Sequence, residues 1–173
     1  GDELVPVHQT PKLHQIRRSN VYGIQATLKE WGVSSELQHL ADDKQEMLIV
    51  ISRLLKEYDL FIFTGGVSKG KPFWFGSNTN GKKIFALPGN PVSSFVCVYM
   101  YLQFWLYKSL GIVSETLYVQ LKNDVEFKPD LVYFLEASLE SKPDGKLVAE
   151  AIKGNGSGDF ANLVKTDGFL ILP

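Results

Sequence analysis

One cysteine, two methionines and three histidines are all that 173 residues contain of thiol, thioether and imidazole side chains. The single Cys97 excludes a disulfide framework or a cysteine-based zinc site within the chain, and it points to a reducing compartment. Its apolar, helix-like surroundings suit packing better than reactivity. His8, His14 and His39 have no metal-ligand spacing and read as surface or loop residues. Neither charge sign is in excess: 18 Lys+Arg stand against 19 Asp+Glu, a formal net charge of −1. This argues against nucleic acid or an anionic membrane as the main partner, so any anion site must be local. An uninterrupted run of roughly 18–20 apolar residues, enough for a membrane span, is also missing. Residues 91–110 come closest, but Ser93, Ser94, Gln103 and Lys108 interrupt them. No signal peptide is visible at the start, and the expected location is the cytoplasm. A hydrophobic fraction of 45% is ordinary for a globular protein and too high for disorder.

What is present is organised around two similar strand ends. Leu60 to Phe63 is continuously apolar between Asp59 and Thr64, the pattern of a strand buried on both faces in a parallel sheet. Gly65 and Gly66 follow, permitting positive φ and close approach of another group, and then come Val67 and Ser68. Ile84 to Leu87 repeats the pattern and runs into Pro88-Gly89-Asn90-Pro91. There Asn90 suits a helix N-cap and Pro91 the first helical position. A Gly-Gly pair after a strand also serves as a plain turn. Two such ends side by side make a cradle of outward-facing N–H groups, suited to phosphate or another oxyanion at the carboxyl edge of a sheet.

Around these ends the grammar is that of an α/β layered domain. Pro6 and Pro11 keep the start irregular. Ser19 or Asn20 caps a helix to about Trp31, with Ile24, Leu28 and Trp31 as its apolar stripe and Gly32 as its stop. Val33 to Leu40 reads as a weak strand. Asp43 and Glu46 have capping-box spacing and open a helix carrying Met47, Ile51, Leu54, Leu55 and Tyr58 on one face. After the first cradle, only a few residues separate the buried strand from a second strand at Phe73–Phe75. A parallel neighbour would need a crossover of about ten residues or more, so either this strand is antiparallel or a segment is absent. Residues 77–81 are a hairpin loop, and 91–110 are one long helix, apolar nearly all round, with one face for the core and one for a partner chain. Beyond Gly111 lies a small β module. Its strands are expected at Leu117–Leu121, Leu131–Leu139, Leu147–Ile152 and Phe169–Leu172, with a turn at Pro143-Asp144-Gly145. Gly154 to Gly158 opens a short helix through Leu163 and reads as a flexible turn or a second anion nest.

Gly1-Asp2-Glu3-Leu4, Ser19-Asn20, Asp42-Asp43, Thr64 to Ser68, Lys71-Pro72, Leu87 to Ser93 and Gly156-Ser157-Gly158 occur in that order. The series resembles the MoeA-type molybdopterin molybdenumtransferases, the family of the gephyrin E domain, over the whole chain. The resemblance implies a molybdopterin-binding α/β domain at 1–112, a three-layer sandwich of MogA-like form, followed by a small β-barrel-like domain at 113–173. It implies insertion of molybdate into adenylylated molybdopterin, dependent on Mg²⁺, in a homodimer, with a molybdopterin adenylyltransferase as a possible further partner. By the same resemblance Asp2 and Asp43 are active-site carboxylates and Lys71 attracts molybdate. Ser19, Asn20, Gly65, Gly66, Val67, Ser68, Pro72, Pro88, Gly89, Asn90, Pro91 and Ser93 receive the pterin-phosphate, and Ser157 contributes from the β domain. The alternative within the family is a non-catalytic molybdopterin-binding or dimerisation module.

The chain departs from the family at three places. Members carry an acidic residue after Gly-Gly-Val-Ser, then a helix and a strand, whereas here Lys69-Gly70 abuts Lys71-Pro72. Gly70 and Lys71 are accordingly expected not to be covalent neighbours. The family's two N-terminal domains, which complete its dimeric active site, are expected to be missing from this sequence. Leu131 and Glu136 stand where arginines are expected near the first long β-domain strand.

Overall fold

The computed structural model describes residues 3–65, 73–152, 154 and 160–172, with the side chain of residue 160 left out. The chain divides into two compact units, Gly1–Cys97 and Val98–Pro173. The expected join at Gly70–Lys71 lies outside the described residues. The expected domain boundary after residue 112 falls within the second unit, just past the helix-ending Gly111.

In the first unit a short pairing precedes the layered part. β1 (Leu4–Val5) and β2 (Ile16–Arg17) run parallel within the stretch read as irregular, and the amide of Arg18 continues the pairing to the carbonyl of Val5 at 2.9 Å. This hands the chain to α1 (Asn20–Glu30), which buries Ile24, Thr27 and Leu28. Gly32 ends the helix at φ +75°, and its N–H together with that of Val33 closes on the carbonyls of Lys29 and Leu28. The strand expected at Val33–Leu40 does not form. These residues are irregular, with the Ser35 carbonyl taken by the Gln25 amide at 3.1 Å and the Glu36 carboxylate by the Tyr58 hydroxyl. Only Val33, Leu37 and Leu40 are apolar among the eight, too few to hold a strand in register by burial alone.

α2 (Lys44–Glu57) starts where the capping spacing placed it, with Asp43 Oδ1 accepting from the Glu46 amide at 2.8 Å. It contains no buried residue. Tyr58 and Asp59 turn the chain into β3 (Leu60–Thr64). β5 (Lys83–Leu87) is the centre of a three-stranded sheet, parallel to β3 and antiparallel to β4 (Trp74–Ser77). The second strand is therefore antiparallel. Its link to β5 is a hairpin loop in which Asn78 Oδ1 accepts from the amides of Asn80 and Lys82, with Gly81 at φ +80°. The expectation that Leu60–Phe63 is buried on both faces is overturned, because only Phe61 is buried. Among the described residues β3 pairs on one side only, with β5, and the helix that precedes it, α2, is itself unburied. Burial concentrates instead on the central strand, at Phe85 and Leu87.

α3 (Pro91–Cys97) closes the first unit and packs on α1, where Gly23 receives the ring of Phe95. The long helix expected at 91–110 is interrupted. A π-helical turn occupies Val98–Gln103 before α4 (Phe104–Leu110), which ends at Gly111 with φ +68°. No helix among the described residues is long and apolar enough to cross a membrane.

The second unit holds this π turn, α4, β6 (Gln120–Leu121), β7 (Tyr133–Ser141), β8 (Leu147–Ala151), α5 (Phe160–Leu163) and β9 (Gly168–Leu172). Strand order is β6-β8-β7-β9, with β6 parallel to β8 and the other pairs antiparallel. The β7–β8 turn lies at Pro143–Gly145, with Gly145 at φ +83°. The first expected strand is cut to Gln120–Leu121, since Leu117 and Tyr118 find no cover. Val98, Leu102, Leu106, Leu135, Ala137 and Ala149 are buried in this unit. Among the described residues its sheet is open at β6 and β9.

Candidate functional site

Two parallel strands that end in register bring their following turns together. Thr64 of β3 is the register partner of Leu87 of β5, so Gly65 and Pro88 leave the sheet side by side. Gly65 has φ +87°, a conformation that side chains other than glycine rarely adopt, and its amide donates to the Leu87 carbonyl at 3.2 Å. A Cβ built on Gly89 would lie 3.7 Å from the Gly65 Cα, so the two turns approach to van der Waals distance. Pro88 is buried beneath them, while Gly89 is exposed. The result is a shallow saddle of bare backbone at the carboxyl edge of the sheet.

A polar clasp holds the second turn. Asn20, at the start of α1, donates its side-chain amide to the Gly89 carbonyl at 2.9 Å and to Ser94 Oγ at 3.3 Å. The Ser94 hydroxyl in turn donates to the Pro88 carbonyl from a fully buried position on α3. The backbone amide of Ser94 closes the first helical turn on the Asn90 carbonyl at 2.9 Å, as expected for Asn90 at the cap and Pro91 at the first helical position. The carbonyls of Pro88 and Gly89 are thus both engaged by side chains of the clasp, and the free N–H groups of a helix start and a glycine turn suit an anion.

Of the residues singled out from the sequence, the structure brings together Asn20, Gly65, Pro88, Gly89, Asn90 and Pro91. Ser19 is part-buried next to the clasp, and its hydroxyl donates to Asn20 Oδ1 at 3.4 Å instead of capping α1. Ser93 is part-buried on α3. Asp43 is exposed and engaged as the cap of α2. Asp2, Gly66, Val67, Ser68, Lys71, Pro72 and Ser157 lie outside the described residues. Two contributors were missed. Ser94 is the buried hinge of the clasp, and its signal in the sequence was only a hydroxyl one turn into an otherwise apolar helix. Arg18 lies two residues before Asn20, and its Nε is enclosed with no hydrogen-bond partner among the described residues.

In the second unit Glu136 is buried on β7, at 8% exposure. Its carboxylate oxygens lie 3.6 and 3.8 Å from where a Cβ on Gly154 would be, with the Asn162 amide nitrogen 3.8 Å from the same point. Its carbonyl accepts from the Ile152 amide at 2.8 Å, so the residue flanks the glycine-rich stretch through both backbone and side chain. No group of three or more His, Cys, Asp or Glu side chains among the described residues could hold a metal ion.

Residues 118–173 match the family model of the MoeA C-terminal region, domain IV. The whole chain is 38% identical, over 201 residues, to a molybdopterin molybdenumtransferase of Synechocystis sp., of which it covers 49%. Residues 118–173 carry that C-terminal region, and the whole chain is similar to this transferase. A crystal structure of the molybdopterin biosynthesis moeA protein from Pyrococcus horikoshii matches the whole chain with a TM-score of 0.80 at 23% identity. A molybdenum cofactor biosynthesis protein from Pyrococcus furiosus matches 90% of it with a TM-score of 0.70, also at 23% identity. The chain spans about half the length of these relatives, covering 47% and 58% of the two solved chains. Its saddle lies in the part covered by the Synechocystis and P. horikoshii relatives and not by the domain IV match.

Proposed function

We propose that this chain is the molybdopterin-binding and C-terminal portion of a molybdopterin molybdenumtransferase, acting in molybdenum cofactor biosynthesis by inserting molybdate into adenylylated molybdopterin. The observation that carries the reading is the saddle: the Gly65 and Gly89 turns in contact, with the Asn20–Ser94 clasp engaging the carbonyls of Pro88 and Gly89. A phosphorylated pterin needs such outward-facing N–H groups, and a substrate that is an anion needs them without competing carbonyl oxygens.

In this reading Gly65, Gly66, Val67, Ser68, Pro72, Pro88, Gly89, Asn90, Pro91 and Ser93 surround the pterin-phosphate, with Ser19 and Asn20 behind them and Ser157 contributing from the β domain. Lys71 attracts the molybdate dianion, and Asp2 and Asp43 are the active-site carboxylates. Mg²⁺ fits this set in one respect, since it is commonly held by one or two carboxylates plus substrate phosphates and not by an all-protein cage. Asp43, with one oxygen on the Glu46 amide, keeps the other for that purpose. When bound, the metal would supply charge neutralisation at the phosphates. The α/β part is taken as a three-layer, MogA-like sandwich ending near residue 112, with the β-barrel-like domain after it. The working form is a cytoplasmic homodimer that receives its substrate from a molybdopterin adenylyltransferase.

Turnover of adenylylated molybdopterin with molybdate, measured on the protein and on a Gly89→Ala variant, tests the reading. Release of the adenylyl group by the parent and its loss in the variant support it, and equal turnover in both removes the saddle from the mechanism. A second reading, a non-catalytic pterin-binding or dimerisation module, is favoured by Glu136. An acidic residue stands on β7 where the family resemblance leads to an arginine. Pterin binding without turnover would select it.

A further inference from the structure

Trp74 opens β4 and stands opposite Ala86 of β5, just before the buried Leu87 from which the second cradle turn departs. Residues directly opposite in an antiparallel ladder share a face, and successive residues alternate. Trp74, Gly76, Ile84 and Ala86 therefore lie on one side of the sheet. Phe75 and Phe85 lie on the other, with their ring centroids 4.7 Å apart. Along the central strand the two sides differ in cover. Phe85 is 1% exposed, whereas Ile84 and Ala86 are part-buried and Trp74 beside them is 53% exposed.

The indole has a definite seat. Its benzo ring occupies the place where a side chain on Gly76 would project, with Cζ2 2.7 Å and Cζ3 3.1 Å from the position of that Cβ. The ring thus lies back along β4 over Gly76, the register partner of Ile84. Aromatic cover of a strand glycine is a stabilising device in its own right. Here it also fixes a half-exposed indole on the same sheet as the saddle.

We propose that Trp74 is a stacking platform for the pterin rings, so that the saddle holds the phosphate and the indole holds the heterocycle. The inference deepens the molybdopterin reading and rests on it for the identity of the ligand. From Leu87 back to Ile84 is three strand residues, about 10 Å. A tricyclic pterin with its phosphate on a one-carbon arm spans a comparable length. Ala86, between the turn and the indole, has no side chain long enough to obstruct such a ligand. The chemistry agrees with the spacing. A pterin is a flat, electron-poor heteroaromatic, and it stacks on an electron-rich indole as nucleobases stack on aromatic side chains. Backbone N–H groups recognise only the phosphate, so the indole supplies selection for a planar ring.

6-Hydroxymethylpterin, which has the ring system and no phosphate, tests the platform apart from the saddle. Its fluorescence, excited at wavelengths that tryptophan does not absorb, is quenched when the ring stacks on an indole. Titration with the protein should give saturable quenching. Trp74→Leu should abolish the quenching and weaken binding, measured by equilibrium dialysis, by about tenfold or more. Trp74→Phe should keep most of the binding and lose most of the quenching. Gly76→Ala retains the indole but fills its seat. The displaced atoms are the far end of a side chain, so this variant should fold while its quenching falls. Thermal melts report that each variant is folded. Equal affinity of the parent and folded Trp74→Leu for both 6-hydroxymethylpterin and molybdopterin overturns the proposal and leaves the indole as cover for Gly76. Molybdopterin affinity lost in Gly89→Ala but kept in Trp74→Leu likewise removes the platform and leaves the saddle standing. Trp74-dependent binding of 6-hydroxymethylpterin, with molybdopterin bound equally by the parent and Gly89→Ala, keeps the platform and removes the saddle.

Discussion

The side-chain amide of Asn20, at the start of α1, lies 2.9 Å from the carbonyl oxygen of Gly89, 69 positions further along the chain. This single contact ties the first helix of the unit to the second cradle turn and settles which way that turn presents its peptide groups. Replacing Asn20 by Ala leaves the Gly89 carbonyl and the Ser94 hydroxyl short of a donor. The expected loss is about 1–2 kcal/mol of stability, read by urea denaturation, together with weaker pterin binding. Asn20→Asp should be the more damaging change, since a carboxylate at 2.9 Å from a carbonyl oxygen repels where the amide donated. Equal stability of the Ala and Asp variants would count against the clasp.

The two cradle glycines should behave differently. Gly65→Ala forces a side chain into φ +87° and is expected to cost about 1–2 kcal/mol even though nothing lies within 4 Å of the new Cβ. Gly89→Ala meets only ordinary contact with the Gly65 Cα, at 3.7 Å, so folding stability should change little. Its methyl group stands on the exposed saddle, and pterin affinity should fall tenfold or more, by about 1.4 kcal/mol. Thermal melts and a molybdopterin titration of the same two variants separate strain from occlusion.

Gly23 sits in the middle of α1 because the ring of Phe95 occupies the place of its side chain. An alanine there gains helix propensity in isolation, yet here its methyl would collide with the ring. Gly23→Ala is expected to destabilise by about 1–3 kcal/mol through overpacking. The double variant Gly23→Ala, Phe95→Leu should recover part of that loss, and a double-mutant cycle by chemical denaturation measures it. Additive losses would show that the two residues do not share the space.

Burial pushes the Cys97 thiol up to about 11. The folded protein therefore keeps its proton at a pH where the unfolded chain, near 9, has lost it. The unfolded state binds fewer protons in that window, so stability must fall as pH rises from about 9 to 11 and be insensitive to this group below it. Cys97→Ala should flatten that slope, measured by denaturation midpoints across the alkaline range. Thiol reagents at neutral pH should label Cys97 only on unfolding.

Tyr101 and Phe104 are exposed at 44% and 62% on the helical stretch that opens the second unit, with the Lys108 ammonium 5.5 Å from the Phe104 ring centroid. Such rings on one face suit a second copy of the chain. Phe104→Glu should shift a dimer toward monomer in analytical ultracentrifugation while leaving the melting temperature of the monomer unchanged. A parent protein that sediments as a monomer at all accessible concentrations would remove the homodimer from the proposed function.

The most local parts of the fold were legible in the sequence. Asp43 with Glu46, Gly32, Gly81, Pro91 and Gly145 each impose a cap, a stop or a turn through their own backbone chemistry, and each lies where that chemistry placed it. The glycine turns were legible for the same reason. Ser94 was not, because its partners are Asn20, 74 positions away, and the carbonyl of Pro88 behind it, and no local pattern announces either. The burial of β3 was overstated, since an apolar run records how a strand could be covered and not how many neighbours it has. Residues 33–40 were read as a strand on weak alternation, and side-chain bonds from Gln25 and Tyr58 outweigh that preference.

The π turn at Val98–Gln103 has a consequence for which substitutions the second unit tolerates. Val98, Leu102 and Leu106 are buried at four-residue intervals. In an ordinary α-helix four residues overshoot a turn by about 40°, so over two steps Leu106 would rotate well away from the direction of Val98. The wider turn, with its i→i+5 bonds, unwinds the helix and returns these side chains to a common azimuth. Length, and not only composition, is therefore encoded in this stretch. Deleting one residue between Val98 and Gln103 would leave Leu106 seven residues after Val98, two α-helical turns less about 20°, so the buried face survives as a regular α-helix, whereas α geometry at full length would rotate Leu106 by about 80°. A conservative replacement at the same positions would change none of this.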